Sequence, residues 1–401
     1  MKVGLERLIE EAGLRKPLAG RRVALLAHPA SVTRDLTHAL DALAALRDVR
    51  LTAALGPQHG LRGDKQDNMI ESPDYLDPLH HIPVFSLYGT VRRPTPAMME
   101  AFDVLLVDLQ DLGCRIYTFT TTLRYVLEEA ARQRKAVWVL DRPNPAGRPV
   151  EGLTLRPGWE SFVGSGALPM RHGLTVGELA RWFVATLRLD LECEVVRLQG
   201  WQPQAPPGYG WPLRERTWVN PSPNAPSPWM ARCYAGTVML EGTTLSEGRG
   251  TTRPLELLGA PELDVQALLQ EMHTLAPQWL QGCRLRPCWF EPTFHKHSGT
   301  LCAGLQVHVE DAAYYDHEAF RPWRLVALVF KALRRLRPDY PLWRDFPYEY
   351  EQGRLAIDLI NGGELLRRWV DDPTATPADL EALAAADESD WQAQRQLAML
   401  Y

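Results

Sequence analysis

The sequence predicts an α/β fold, with a doubly wound parallel sheet followed by a smaller C-terminal α+β domain. Over the first 150 residues, short apolar runs rich in Val and Leu alternate with helical patterns. Such alternation is typical of parallel strands connected by helices. A chain of 401 residues is also long enough for two domains. We therefore expect an N-terminal domain over residues 1–228 and a C-terminal domain over residues 229–401.

The N-terminal half contains five candidate strands, each short, apolar and followed by polar or turn residues. They span Arg21–Pro29, Arg50–Pro57, Ile82–Gly89, Asp103–Asp111 and Ala136–Asn144. Helical patterns lie at Thr33–Leu46, Thr95–Phe102, Thr121–Arg134 and Leu174–Leu187. The second of these begins Thr-Pro, a capping residue followed by proline at the first helical position. In the fourth, Thr175 and Glu178 have the spacing of a capping box.

A stretch rich in Pro, Trp and Gly, without periodicity, separates this half from the next and spans Gln199–Pro228. A loop of this length is usually functional or a linker. Beyond it, the periodicity predicts helices over residues 263–275, 322–336, 362–370 and 376–387. Strands are predicted at Leu301–Val309 and Leu355–Asp358. The smaller domain is therefore expected to mix helices with a few strands.

Composition excludes several classes of protein. The formal net charge is −5, which gives no electrostatic reason to expect a nucleic-acid or anionic-membrane partner. No run approaches eighteen apolar residues, and the charged N-terminus does not resemble a signal peptide. Six dispersed cysteines without a C-x-x-C pair suit reduced thiols. We expect a cytoplasmic protein that is a monomer or a homodimer.

Polar residues follow three of the predicted strands. The sets are Gln58, His59, Arg62 and Asp64; then Asp108, Gln110, Asp111, Arg115 and Tyr117; then Asp141, Arg142 and Asn144. Each set alone is compatible with a capped turn or a structural ion pair. Because ligands bind beyond the carboxyl ends of parallel strands, three sets on one edge favour a site.

The densest polar stretch, LEGTTLSEGRGTTRP, contains Glu241, Glu247 and Arg249. It reads either as a ligand-binding loop or as a salt-bridged surface turn. A P-loop, a dinucleotide fingerprint, a G-x-S-x-G elbow and zinc-ligand spacing are all missing, so neither a cofactor nor a metal is expected. Carboxylate, Arg, His, Tyr and Trp side chains without a cofactor are typical of sugar sites, where two carboxyl groups supply the chemistry.

Six long motifs carry a family resemblance. They are GPQHGLRGD, DLQDLGCRIYTFTTTL, LDRPNPAGRPVEG, SFVGSGALPMRHGLTVGELA, PSPNAPS and LEGTTLSEGRGTTRPLELLGAP. From about Leu18 to the C-terminus, the sequence resembles the exo-β-N-acetylmuramidases of peptidoglycan turnover. The resemblance implies a Rossmann-like N-terminal domain and an active site in the cleft beside the smaller domain. It also implies release of N-acetylmuramic acid from the non-reducing end of glycans or muropeptides, as in cell-wall recycling.

The chain departs from this family at Gln58 and again near Asn68-Met69, where the family has a second glutamate in a Gly-Glu pair. Family members read Pro-Glu-His-Gly where this sequence has Gln58, and an amide cannot supply a proton or act as a carboxylate nucleophile. Either another carboxylate carries the chemistry, or the protein binds an amino sugar without cleaving it, or with altered specificity. A third possibility is an assembly protein that uses its Trp-rich middle as an interface.

For the hydrolase interpretation, the leading catalytic candidates are Asp111, Glu241 and Glu247, followed by Asp64 and Glu71. A muramyl lactate group would favour arginine partners, for which Arg62, Arg115, Arg171 and Arg249 are available. The full set of predicted substrate-binding residues is Gln58, His59, Arg62, Asp64, Gln110, Arg115, Tyr117, Arg142, Asn144, Arg171, His172, Asn224 and Arg249.

Overall fold

A computed structural model describes residues 1–63, 65 and 69–401 of the chain. Its larger sheet has seven strands, β1 to β7, at Arg22–Ala27, Arg50–Gly56, Tyr75–Leu76, Pro83–Ser86, Val104–Asp108, Ala136–Leu140 and Cys193–Val196. The strand order is β3-β4-β2-β1-β5-β6-β7, and all neighbours are parallel except β3, which is antiparallel to β4. Three further strands, β8 to β10, lie at Leu257–Ala260, Arg284–Phe290 and Cys302–His308 and form an antiparallel sheet in the order β8-β10-β9.

In the described residues, twelve α-helices accompany the two sheets. Helices α1 to α6 span Gly4–Glu10, Ala12–Arg15, Ala39–Ala44, Pro96–Glu100, Phe119–Arg132 and Val176–Leu187; α7 to α12 span Pro228–Thr237, Val265–Leu275, Pro322–Leu336, Ala356–Asn361, Leu365–Asp371 and Pro377–Arg395. Short 3₁₀ helices lie at Lys16–Leu18, Val238–Gly242 and Pro277–Leu280. In the part of the chain that the structure describes, no helix is long and apolar enough to cross a membrane. The predicted fold class, a mostly parallel α/β sheet with a smaller C-terminal domain, is confirmed.

Local signals begin two of the predicted helices. The Thr95 hydroxyl accepts a hydrogen bond from Met98 N at 3.3 Å, and Pro96 takes the first helical position of α4. At α6, Thr175 accepts from Glu178 N while the Glu178 carboxylate accepts from Thr175 N at 2.9 Å. These reciprocal bonds satisfy backbone N–H groups that have no partner within the helix.

Other local predictions are wrong. Residues Leu355–Asp358, predicted as a strand, lie at the start of α10, which ends where Gly362 adopts φ 69°. A run of four apolar and polar residues is too short for periodicity to separate strand from helix. Strand β9, which includes Pro287, was not predicted. Proline is tolerated there because β9 is an edge strand of the three-stranded sheet and pairs with β10 alone in that sheet.

The C-terminal segment returns to the N-terminal half. On α12, the buried Trp391 donates its indole N–H to the His172 carbonyl at 2.8 Å. At the last residue, the Tyr401 hydroxyl donates to Asp141 Oδ2 at 2.8 Å. Residues 197–227, all of them described, contain no helix or strand. One hydrophobic core includes side chains from both halves of the chain, so the halves pack as a continuous body.

Candidate active site

A polar pocket, here called the inner pocket, lies where strands β2 and β5 end. Strands β2 and β5 lie on opposite sides of β1, so the strand order reverses beside β1. Open α/β sheets bind ligands in the crevice at such a reversal, beyond the carboxyl ends of the strands. The C-terminal half supplies the other wall. The lining residues are Gln58, His59, Leu112, Ile116, Tyr117, Thr118, Val163, Ser222, Asn224, Met230, Tyr234, Glu241, Arg249, Leu255, Tyr348 and Glu349.

Gln58 contacts a carboxyl group that sequence reasoning missed. Its Nε2 donates to Glu349 Oε1 at 3.1 Å, while its Oε1 accepts from Thr118 Oγ1 at 2.6 Å. Thr118 precedes helix α5, and its hydroxyl binds Gln58 instead of capping the helix. The Tyr88 hydroxyl donates to the other oxygen of Glu349 at 2.6 Å. Glu349 is therefore held on both oxygens, directly beside the residue that replaces the family glutamate.

Burial raises the pKa of Glu349 to about 7, and the nearby Glu241 acts in the same direction. The hydrogen bonds from Tyr88 and Gln58 and the charge of Arg92 oppose this rise. Only 7% of the residue is exposed. A carboxyl group that keeps its proton near neutral pH is suited to general-acid chemistry.

Glu241 is the second carboxyl group of the inner pocket. Its Oε1 accepts from Arg249 Nη2 at 2.6 Å, and its Oε2 accepts from the Tyr348 hydroxyl at 2.7 Å. Arg249 is nine-tenths buried or more, so the ion pair is poorly screened by water. The structure thus brings an ion-paired carboxylate and a carboxyl group of raised pKa into one pocket.

Glu247 lies behind this pocket and does not line it. It is fully buried, with Lys296 Nζ at 2.7 Å and both Arg249 Nε and His295 Nδ1 at 3.2 Å. Burial alone would raise the pKa of Glu247, but the surrounding cations overcome it and hold the pKa well below its usual range. Its ion pair with Arg249 orients that guanidinium group, and this placement does not favour the catalytic role predicted for Glu247.

Asp111 is also outside the inner pocket. Its Oδ2 accepts from the Gly113 amide at 2.6 Å and lies 3.4 Å from His172 Nε2. Neighbouring Gln110 donates to the carbonyls of Asp111 and Pro143, both at 2.9 Å. These buried residues shape the turn after β5 and do not face the two carboxyl groups.

Two of the predicted arginines, Arg115 and Arg171, donate hydrogen bonds to backbone carbonyls. Arg115 donates to the carbonyls of Leu153, Leu168 and Ile360, and Arg171 donates to that of Ala146. Arg62 is exposed and lies over the Tyr75 ring, 4.8 Å from its centroid. Asn144 donates to the Leu174 carbonyl at 3.0 Å. Of the four arginines proposed for a lactate group, Arg249 is the one that lines the inner pocket.

Arg142 forms a buried ion pair with Asp108, at 2.6 and 2.9 Å. Replacing it in Arg142→Ala leaves the Asp108 charge buried without a partner, and we expect a loss of about 3–5 kcal/mol in the free energy of unfolding. Urea denaturation measures this value. The matched control is Arg368→Ala, which removes a largely exposed partner of Glu364 and should cost about 1 kcal/mol or less. Equal losses in the two variants would contradict the prediction.

The remaining predicted residues divide between the inner pocket and other places. His59, Tyr117 and Asn224 line the inner pocket. Asp64 lies outside the described residues, and Glu71 lines a neighbouring cleft. Sequence reasoning missed Tyr348 and Glu349 because the segment RDFPYEYEQ contains no motif, although both Glu349 and Tyr350 adopt positive φ, 48° and 69°. Such backbone strain at non-glycine residues is common at functional sites.

Two further properties of the inner pocket are the ligands that its side chains offer and its size. Among the described residues, no cluster of His, Cys, Asp and Glu could hold a metal ion. The cavity has a volume of about 30 Å³ in this conformation, whereas ligand pockets usually measure about 300–1,000 Å³. A sugar ring does not fit into a cavity of this size, so the inner pocket must widen before a sugar can bind.

Together, the fold and the site define an α/β protein with a smaller C-terminal domain and two buried carboxyl groups, Glu241 and Glu349, in a pocket between its halves. The chain belongs to the NamZ exo-β-N-acetylmuramidase family, as the sequence resemblance predicted. Residues 23–229 match the family model for the N-terminal part of exo-β-N-acetylmuramidase NamZ, and residues 232–401 match the model for its C-terminal part.

Similar proteins are known in sequence and in structure. The peptidoglycan β-N-acetylmuramidase NamZ of Bacillus subtilis (strain 168) is 38% identical over 340 residues, which cover 84% of this chain and 78% of that protein. A DUF1343 family protein from Bacteroides fragilis NCTC 9343 aligns with a TM-score of 0.85 and 29% identity, over 100% of this chain and 98% of that chain. A second one, at 24% identity and a TM-score of 0.74 with the same coverage, has the same fold.

Proposed function

We propose that this protein is an exo-acting β-N-acetylmuramidase that releases N-acetylmuramic acid from the non-reducing end of peptidoglycan-derived glycans, with Glu349 as its general acid. One observation carries the proposal: the buried Glu349 carboxyl lies 3.1 Å from Gln58, the residue that stands where the family has glutamate. A carboxyl group from the C-terminal half, that of Glu349, thus lies beside the position where the N-terminal half has Gln58 in place of the family glutamate. Membership of the family supports the substrate class.

The two carboxyl groups suit the two halves of glycoside hydrolysis. Protonated Glu349 would transfer its proton to the glycosidic oxygen as the bond to the anomeric carbon breaks. Glu241, held by Arg249 and Tyr348, would supply the negative charge that an oxocarbenium-like transition state requires. Binding of the sugar requires the inner pocket to widen, a conformational step of the kind many enzymes use.

Gln58 itself favours a second candidate function, an amino-sugar-binding protein without catalysis. The two functions are separated by incubating the protein with the disaccharide of N-acetylmuramic acid β-linked to N-acetylglucosamine and following both products by chromatography. A hydrolase releases the two free sugars in equal amounts. Saturable binding of the disaccharide by calorimetry, without release at high protein concentration, would instead establish the binding protein.

The pH dependence tests the assignment of the acid. Because the pKa of Glu349 is about 7 and the acid acts in its protonated form, kcat/KM should fall about tenfold per pH unit above pH 7. The Tyr88→Phe variant removes a hydrogen bond that stabilises the charged carboxylate, so its alkaline limb should move to higher pH. A limb that does not move in Tyr88→Phe would assign the titration to another group.

We further propose that the substrates are muropeptide fragments handled in the cytoplasm during cell-wall recycling. All six cysteines are free thiols in the structure, which suits a reducing compartment. Fractionation of the source cells, with antibody detection, tests the location. Size-exclusion chromatography distinguishes between the two expected states, a monomer and a homodimer.

A further inference from the structure

A second, wider cavity lies next to the inner pocket and is here called the outer cleft. Its volume is about 580 Å³, within the range of small-molecule sites. Glu349 lines both the inner pocket and the outer cleft. If a glycosidic bond lay at the Glu349 carboxyl group, the sugar on one side of that bond could occupy the inner pocket and the sugar on the other side the outer cleft.

One aromatic platform stands beside Glu349 in this cleft. The Arg92 guanidinium contacts two rings, 4.1 Å from the centroid of Tyr88 and 4.5 Å from that of Tyr350. The Tyr350 ring is anchored in this way, yet the residue is 52% exposed. An exposed ring that is held in place offers an apolar face at little entropic cost, which is how aromatic side chains bind the faces of sugars.

A second platform has the same construction. The Arg93 guanidinium lies 3.9 Å from the centroid of Tyr125, which also packs against Phe162. Arg93 and Arg124 both bind Glu128, at 2.6 and 2.7 Å, so the guanidinium groups are fixed. The outer cleft thus presents two rings with arginine N–H groups close to each.

The outer cleft carries charged side chains of both signs, without a large excess of either. Its lining contains three arginines and four glutamates, one of which is Glu349. Glu71 is paired with Arg92, and Glu351 with Arg354. An anionic ligand would therefore gain little here, whereas a neutral ring with hydroxyl and amide groups finds both donors and acceptors.

We propose that the outer cleft is the subsite for the leaving-group side of the substrate and binds a neutral N-acetylhexosamine against Tyr350 and Tyr125. This inference rests on the proposed function, because it places the sugar that departs opposite the muramyl residue in the inner pocket. Contacts between the departing sugar and this subsite would hold the glycosidic oxygen in line with the Glu349 carboxyl group.

The test compares two substrates. The disaccharide occupies the outer cleft, whereas a β-N-acetylmuraminyl fluoride has a leaving group of one atom and does not. We expect Tyr125→Ala and Tyr350→Ala each to lower kcat/KM about tenfold for the disaccharide, mainly through KM, with the fluoride unaffected. Tyr350→Phe should keep the activity. Trp289→Ala is the control, since this residue is 70% exposed and lines neither cavity.

Equal losses on both substrates, or unchanged kcat/KM for the disaccharide, would overturn the subsite. Failure of the proposed function has a different signature, because the wild-type protein would then cleave neither substrate. In that event calorimetry with N-acetylglucosamine decides: a roughly tenfold weaker affinity in both alanine variants supports the sugar site, and no binding by the wild-type protein refutes it.

Discussion

The Glu349→Gln variant should hydrolyse the muramyl disaccharide with a kcat about 10²–10⁴-fold lower than the wild-type protein, the range expected for the loss of a general acid. The amide is close in shape to the carboxyl group and can keep the hydrogen bond from Tyr88. It has no proton to transfer to the departing oxygen. Steady-state kinetics on the purified variant measures the loss, and circular dichroism verifies that the fold is intact.

The fluoride substrate gives this prediction a sharper form. Fluoride departs as an ion without protonation, so Glu349→Gln should lose far less activity on the muraminyl fluoride than on the disaccharide. The Glu364→Gln variant changes a glutamate that is paired with Arg367 and Arg368, outside both cavities, and should match the wild-type protein on both substrates. Similar losses on fluoride and disaccharide in Glu349→Gln would remove this residue from the role of acid.

The Glu241→Gln variant should lower kcat about 10²–10³-fold on both substrates, because the carboxylate is needed whatever the leaving group. The charge that Arg249 and Tyr348 hold in place would be lost, while the shape of the side chain stays. The two variants are therefore distinguished by their activity on the fluoride, which should fall strongly in Glu241→Gln and far less in Glu349→Gln. Near wild-type rates in Glu241→Gln would place the second carboxyl function elsewhere.

Glu247 lies in the same loop as Glu241, but its substitution should reduce stability more than catalysis. Glu247→Gln leaves the buried Lys296 without its anionic partner, so we expect a loss of about 3–5 kcal/mol in the free energy of unfolding. Folded protein should retain a much larger part of its kcat than Glu241→Gln does. Urea denaturation and kinetics below the unfolding range measure the two effects. A stable Glu247→Gln variant that has lost its chemistry would restore the catalytic role that the sequence suggested.

Some parts of this molecule follow from local sequence alone. The strands β1, β2, β4, β5 and β6 are short apolar runs that end in turn residues, and the caps at Thr95 and Thr175 begin their helices as expected. These elements depend on contacts within a few residues, which a pattern can report. The edge of the sheet where Gln58 lies follows from the same elements, since parallel strands place their carboxyl ends together.

The roles of the polar residues on that edge were harder to predict. Arg115, Arg142 and Arg171 are as polar in the sequence as Arg249, yet they donate to loop carbonyls or to Asp108 in the interior. A guanidinium group has five N–H donors and binds a carbonyl, a structural carboxylate or a ligand equally well. Which of these it meets depends on the packing of distant segments.

The sequence by itself determined the fold class, the family and the edge of the sheet at which the chemistry belongs. Tertiary structure alone decided which carboxyl groups lie there. Glu349 lies 291 residues from Gln58 in the chain, and its raised pKa comes from burial between two halves that meet only on folding. Glu241 and Glu247 are six residues apart in one loop, yet one faces the inner pocket and the other is enclosed by Lys296 and His295. Desolvation and ion pairing are properties of the surroundings, so the function of a carboxyl group is settled by what packs around it.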